Sequence, residues 1–371
     1  MYTGTDVMVA DEGHLIESEV VNYSKVRLSI REFDRWRLNI PTFLTIHQYA
    51  DWAGGLTPSL IALEDQYRNE LEEVIGEDPD TLDHDSREAA ERLTTQTKSL
   101  GTVISSLQAI REGANREDAW YIAHDEKATE FTPVWAKQFC RPIYQAAQKK
   151  VLIMSATLLP TPKTAERLGL EKDEYEFIEI PSTFDPMKSP IIRNYVAPLS
   201  KKNLEEKLPE LIERMDAIIG DHLPDRGIVH TTSRAIERAI KLQSRYTNQM
   251  ATHEGRERAK VMERFVKGDG PPILLSPSAM TGLDGRGDSV RWQILMKFPF
   301  ASLGDPLTAA RMKEDSESYA YDANATFIQA SGRGTRSAED YSSLYVLDAT
   351  LESMLHRWPK HFPKWVKKRI I

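Results

Sequence analysis

Two carboxylates stand side by side at Asp11-Glu12, followed by Gly13 and His14, directly after the apolar run Asp6-Val-Met-Val-Ala10. Such a run reads as a buried strand, and the carboxyl end of a strand is where an α/β sheet presents groups to a ligand. One acid there can hold Mg²⁺ through water while the second orients and deprotonates a water attacking a phosphoryl group. Taken alone, the cluster reads more simply as a solvated strand end.

Four further clusters change that balance. Ser155-Ala156-Thr157 follows the apolar run Val151–Met154, where small hydroxyl side chains either cap a helix or bond a neighbouring carboxylate and a moving lobe. In Gln329-Ala-Ser-Gly-Arg-Gly-Thr-Arg336 the spacing predicts Arg333 and Arg336 on one helix face, beside Gln329 and the small Gly332. Guanidinium groups so placed can stabilise charge on a transferring phosphoryl group, or simply pair with Glu339 and Asp340. Ser278 to Gly287 is a glycine-rich turn in which Asp284 can sense nucleotide while Thr281, next to Gly282, touches a DNA strand. His230-Thr231-Thr232-Ser233-Arg234 closes one strand and opens a helix, so its hydroxyls and amides can face a phosphate; an ordinary Ser233 N-cap is the alternative.

The elements that must position these groups alternate. Strand-like runs occur at 6–10, 151–154, 227–230, 273–276, 290–296 and 343–347, with helical spacing over 204–219, 233–246 and 255–265. The predicted class is α/β with parallel sheets. Residues 18–145 break the pattern as mostly charged helical sequence, with turn signals at Gly54-Gly55, at Gly76 to Pro79 and at Gly113. The expected division is therefore residues 1–17, a first piece of one α/β lobe; 18–145, a helical insert; 146–184, the rest of that lobe and a proline-punctuated linker; and 185–371, a second α/β lobe.

Charge is distributed unevenly. The chain of 371 residues carries a net charge of −8, yet residues 57–130 hold 18 acids and 7 bases, so the remainder is slightly basic. From Arg357 to Arg369 there are six Lys or Arg and no acid, interleaved with Trp358, Phe362 and Trp365. That segment either meets phosphates and stacks on bases or packs its aromatics on the core. A single cysteine, Cys140, excludes an internal disulfide or a cysteine-rich iron–sulfur site in this chain and suits a reducing cytoplasm. No apolar stretch is long enough to span a bilayer, so no membrane partner is expected.

The order and spacing of the clusters resemble the DinG/XPD (Rad3-like) branch of superfamily 2 DNA helicases over nearly the whole chain. Val9-Ala-Asp-Glu-Gly-His14 looks like the DEAH box, motif II, and Met154-Ser-Ala-Thr-Leu158 like motif III. Ile180 to Phe184 is similar to the family's Ser-Pro-Phe linker. His230 to Arg234 corresponds to motif IV, Thr281 to Asp284 to motif V, and Gln329 to Arg336 to motif VI, while Lys297 to Phe300 with Asp305 to Leu307 matches the segment after motif V.

The resemblance implies two RecA-like lobes, the first incomplete and the second complete, closing on ATP and Mg²⁺. It also implies an Arch-like insert and 5′ to 3′ translocation on single-stranded DNA. Asp11 would then serve the metal, Glu12 would be the general base, and His14, Ser155 and Thr157 would couple hydrolysis to DNA. Arg333 and Arg336 would be fingers on the γ-phosphate, with Gln329, Gly332, Gly282 and Asp284 around the nucleotide. Thr231, Thr232, Ser233, Arg234 and Thr281 would lie along DNA.

Two departures stand out. Gly13 takes the place of the usual alanine, for which only a modest loss of rigidity is expected. No G-x-x-x-x-G-K-[ST] occurs anywhere in the sequence. The expectation is thus a fragment or split subunit, inactive in ATP hydrolysis alone, that needs a P-loop segment in cis or in trans. The competing reading is a non-catalytic helicase-derived protein that binds single-stranded DNA or docks on a partner.

Overall fold

The computed structural model describes residues 5–76, 83–115, 119–145, 147–253, 257–277, 287–335 and 337–371. The chain divides into two compact units. One comprises residues 1–8, 15–152 and 167–170; the other comprises 9–14, 153–166 and 171–371. Strands β1 (Thr5–Ala10) and β5 (Ala147–Ile153) pair as a two-stranded sheet, and each runs from one unit into the other.

In the first unit, α1 (Ile16–Tyr23), β2 (Val26–Ser29) and α2 (Ile30–Arg35) lead into two long helices, α3 (Ile46–Ile75) and α4 (His84–Ala114). Thr45 and Gln48 form a reciprocal capping box at the start of α3, and Asp83 caps α4 by accepting the Ser86 N–H. Gly54 and Gly55, which signal a turn in the sequence, lie inside α3, as does Pro58. Tyr49, Ala53 and Leu60 recur along its buried face and pack with Leu100, Val103, Ile104, Leu107 and Ile110 of α4, so tertiary burial overrides local propensity. Gly113 likewise belongs to α4: a Cβ there would sit 2.7 Å from the Trp120 ring.

The insert is not wholly helical. β3 (Trp120–His124) and β4 (Ala128–Pro133) join β2 in an antiparallel sheet of order β2-β4-β3, closing over Phe33 and Phe131. These strands escaped the sequence reading because they are short and flanked by charge. α5 (Lys137–Tyr144) carries Cys140 into a small core with Val20 and Val21, where burial pushes its thiol up to about 11 and leaves it unreactive.

The second unit begins with the residues after β1 and β5 and with α6 (Pro162–Arg167). It then builds β6 (Ile191–Ala197), α7 (Leu204–His222), β7 (Gly227–His230), α8 (Arg234–Gln243), β8 (Met250–Ala251), α9 (Arg258–Lys267), β9 (Ile273–Ser276) and β10 (Trp292–Leu295). It closes with α10 (Pro306–Glu314), α11 (Ser316–Ser331), β11 (Ser343–Asp348), α12 (Thr350–Arg357) and α13 (Lys364–Lys367). Six strands form one parallel sheet of order β6-β11-β10-β7-β9-β8. Its inner strands are buried on both faces, which is why they read as continuous apolar runs.

Side chains alternate between two cores. Trp292 and Ile294 of β10 face α7 and α8, while Leu295 faces the layer of Phe327, Ile328, Leu351 and Phe362. The α/β class expected from the alternation is the class found. β6 was missed because Arg193 and Asn194 interrupt its apolar pattern at a sheet edge. The basic C-terminal segment packs inward: Phe362 is buried, Trp358 and Trp365 lie against the core, and Arg369 donates to Ser189 O, Ser331 Oγ and Ser331 O.

One glycine in the sheet has no substitute. A Cβ on Gly227 would lie 2.1 Å from the Trp292 ring, itself fully buried. Gly227→Ala is therefore expected to destabilise the second unit by about 3 kcal/mol through overpacking, read as a lower urea midpoint at unchanged slope.

Among the described residues no helix is long and apolar enough to cross a membrane.

Candidate active site

Beyond β1 and β5 the backbone is tied together. Met154 N–H donates to Ala10 O at 2.9 Å, and Gly13 N–H donates to Met154 O at 2.8 Å. Gly13 is buried, and a Cβ on it would meet Ile153 Cγ2 at 2.3 Å. Glycine is thus required by close packing here, a stronger constraint than the modest change in rigidity expected from sequence. Between these contacts Glu12 adopts φ +52°, a left-handed conformation costing a non-glycine residue about 1 kcal/mol, while its N–H is held by Asp11 Oδ1 at 2.8 Å. Strain of this kind collects where a side chain must be aimed.

The aimed side chains form a continuous hydrogen-bonded line. Gln329 Nε2 lies 3.3 Å from His14 Nε2, and in this orientation the amide donates to the ring. The imidazole proton then sits on Nδ1, which is 2.8 Å from Ser155 Oγ and 3.2 Å from Glu12 Oε2. Ser155 Oγ also accepts the Thr157 N–H at 3.1 Å and faces Glu12 Oε2 at 3.5 Å and Thr157 Oγ1 at 3.3 Å. One neutral tautomer satisfies every contact, so Glu12, His14, Ser155, Thr157 and Gln329 are brought together within one unit. Residues 315 positions apart meet at His14.

Asp11 and Glu12 are exposed, and among the described residues no Lys or Arg pairs with either. No cluster of three or more His, Cys, Asp or Glu suited to a metal occurs among the described residues. An exposed, uncompensated carboxylate pair fits Mg²⁺, which keeps several waters and takes one or two carboxylates alongside phosphate oxygens.

The end of α11 differs from the expected helix face. α11 stops at Ser331, Gly332 caps it, and Arg333 lies in the following turn, outside the helix. Gly332 N–H bonds Gln329 O at 3.4 Å. Arg333 is nearly buried, and the turn is fixed by Gly334, whose Cβ would collide with Ser342 Oγ at 2.1 Å. Arg336, Thr281, Gly282 and Asp284 lie outside the described residues.

The segment after β7 is more closed than a phosphate-facing loop. Thr231 is fully buried, its N–H donates to Ser276 O at 3.0 Å, and its side chain is not on the surface. Thr232 is half-buried at φ +58°. Ser233 accepts the Ile236 N–H as the N-cap of α8, and Arg234 bonds Glu237 at 2.7 Å and His253 O at 2.8 Å. The cap alternative therefore describes Ser233.

Sequence reasoning named His230 only as the first residue of its cluster and gave it no role of its own. It is fully buried with Nε2 at 3.0 Å from Gln293 Oε1. Burial pushes its imidazole down from 6.5 to about 4, opposed by the Gln293 bond and aided by the Arg333 cation. Because the folded state resists protonation, its contribution to stability is complete above pH 6.5 and is lost as pH falls from there through 4. The expected loss is about 3 kcal/mol, and His230→Gln should flatten the dependence of the urea midpoint on pH across that window.

Comparison with known proteins agrees with the fold. Residues 221–369 match the Helicase C-terminal domain family. The chain is 29% identical over 201 residues to the ATP-dependent DNA helicase YoaA of Escherichia coli (strain K12), covering 50% of this chain and 30% of that protein's length. The chain thus spans less than a third of that relative. The S. tokodaii Xpd4 structure superposes with a TM-score of 0.55 at 13% identity over 98% of this chain and 75% of that one. An apo XPD structure gives 0.51 at 13% identity over 98% and 74% of the two chains. Residues 221–369 thus match a helicase C-terminal domain, the chain is similar in sequence to part of a DNA helicase, and its fold is similar to that of the XPD structures.

Proposed function

We propose that this chain is a fragment or split subunit of an ATP-dependent DNA helicase of the DinG/XPD type, moving 5′ to 3′ along single-stranded DNA, and that its phosphate cradle is a P-loop supplied in cis or in trans. The observation that carries this reading is the contact of His14 with Gln329, which links the acidic pair to the end of α11. A binding-only protein has no use for such a line of contacts ending on an exposed carboxylate.

In this reading Asp11 would hold Mg²⁺ through water, and the ion would supply charge neutralisation at the phosphates of ATP. Glu12 takes the proton of the attacking water, its carboxylate held by His14 and Ser155. His14 is a positioning residue: a shift of α11 moves Gln329, and with it the ring that orients Glu12. Ser155 and Thr157 keep that ring in place and connect it to DNA-driven movement. Arg333 and Arg336 stabilise charge on the transferring phosphoryl group, with Gln329, Gly332, Gly282 and Asp284 lining the nucleotide. Thr232, Ser233, Arg234 and Thr281 run along DNA, Thr231 acting from beneath through its backbone. No iron–sulfur ligands lie in this chain, whose single cysteine is buried.

The reading is tested by DNA-stimulated ATP hydrolysis, measured for the chain alone and with a P-loop polypeptide.

A further inference from the structure

Strand β2 and the long helix α4 border an open groove that none of the helicase motifs uses. It has a volume of about 510 Å³ and is lined by Lys25, Val26 and Arg27 from β2 and its approach, and by one face of α4. That face carries Lys98, then Gly101, Thr102, Ser105, Ser106 and Ala109, at the three- and four-residue spacing that stacks side chains along a helix. The small residues leave the floor low, and the lining contains three cations, three hydroxyls, no carboxylate and no aromatic ring.

We propose that this groove holds the phosphodiester backbone of single-stranded DNA. The proposal rests on the reading of the chain as a DNA motor and adds a contact surface outside the two lobes. Its first support is charge. The stretch that supplies Lys98, residues 57–130, carries 18 acids and 7 bases, and the lining sets that lysine beside Lys25 and Arg27 with no acid among them. Lys25 and Lys98 are exposed and have no ion-pair partner among the described residues. Arg27 shares its charge with Glu130 at 3.4 Å, both side chains about half exposed. Glu64 approaches the floor at Gly101 but is paired with Arg68 at 3.3 Å. The fold therefore makes no use of the two lysines.

Hydrogen-bonding capacity is the second support. Thr102, Ser105 and Ser106 hydroxyls donate to the carbonyls of Lys98, Gly101 and Thr102 within α4, at 3.0, 2.7 and 3.0 Å. A change of rotamer turns each toward the groove as a donor to a phosphate oxygen. β2 is an edge strand, paired among the described strands with β4, so its free edge presents further backbone donors. Cations and hydroxyls contact phosphate and sugar, and the lack of an aromatic means that bases are not stacked here; the groove guides a strand without reading its sequence.

Binding of a fluorescein-labelled oligothymidylate to the full chain, followed by anisotropy across a salt series, tests this. Each cation that meets a phosphate adds about 0.7 to the slope of log affinity against log salt for a single strand. The Lys25→Gln/Lys98→Gln variant is expected to bind with a slope shallower by about 1.4, and Ser105→Lys with one deeper by about 0.7. Wild-type binding with the same slope in both variants overturns the groove while leaving the helicase reading standing. Failure of the wild-type chain to bind the strand at any salt overturns the helicase reading, and the groove falls with it.

Discussion

Glu12→Gln, introduced into the chain complemented with its P-loop, is expected to lower DNA-stimulated ATP hydrolysis by about 10²–10⁴-fold while DNA binding stays as it was. The substitution keeps the size of the side chain and its hydrogen bonds to Ser155 and His14, and removes the charge that takes a proton from water. Glu12 sits at φ +52° whichever side chain it carries, so the local backbone strain is common to both proteins and folding stability should differ little. Steady-state phosphate release with and without oligothymidylate, beside the anisotropy of the same strand, separates loss of proton transfer from loss of DNA. A fall in both together would place Glu12 in DNA contact instead.

The second large effect is expected at Arg333. Arg333→Ala should cost about 10³-fold or more in hydrolysis if the guanidinium stabilises charge on the transferring phosphoryl group. The side chain is nearly buried, so a purely structural loss must be told apart from a chemical one. His230 supplies the readout. Arg333 helps to hold that imidazole down at about 4, and without the cation the histidine gains a proton at higher pH. The acid-induced loss of stability should then be smaller in Arg333→Ala and should level off at higher pH, while still beginning near pH 6.5. Above pH 6.5, where His230 is neutral in folded and unfolded chains alike, hydrolysis should remain depressed. Arg333→Lys is expected to restore the pH dependence of stability without restoring the rate, because a point charge cannot reproduce a planar fork on phosphate oxygens.

The parallel sheet of the second unit was legible in the sequence because its strands are buried on both faces. Gly227–His230 and Ile273–Ser276 fall where their apolar runs stand. Edge and half-exposed strands left weaker marks: Arg193 and Asn194 break the run of β6, and Arg27 and Glu130 interrupt β2 and β4. Gly54 and Gly55, read as a turn, misled in the other direction, and Pro58 lies in the same helix. A helix of 30 residues packed along α4 tolerates three poor helix formers that a free peptide would not.

The acidic pair with His14, Ser155, Thr157 and Gln329 was legible as separate motifs, and the structure gathers those three pieces of sequence at one place. What could not be read was the wiring. That His14 faces Ser155 with one nitrogen and Gln329 with the other depends on where α11 ends, and α11 ends one turn earlier than the Arg333 to Arg336 spacing implies. The burial of Thr231 and the depressed histidine beside it were also hidden, since both depend on the layers packed over the end of β7.

The account stands or falls on DNA-stimulated ATP hydrolysis by the chain, alone and with a P-loop polypeptide present. It predicts background hydrolysis from the chain alone and, on complementation, a rate that rises with single-stranded DNA. A complemented chain that binds the strand yet stays at background, or a chain that hydrolyses ATP equally well without any P-loop, would contradict it.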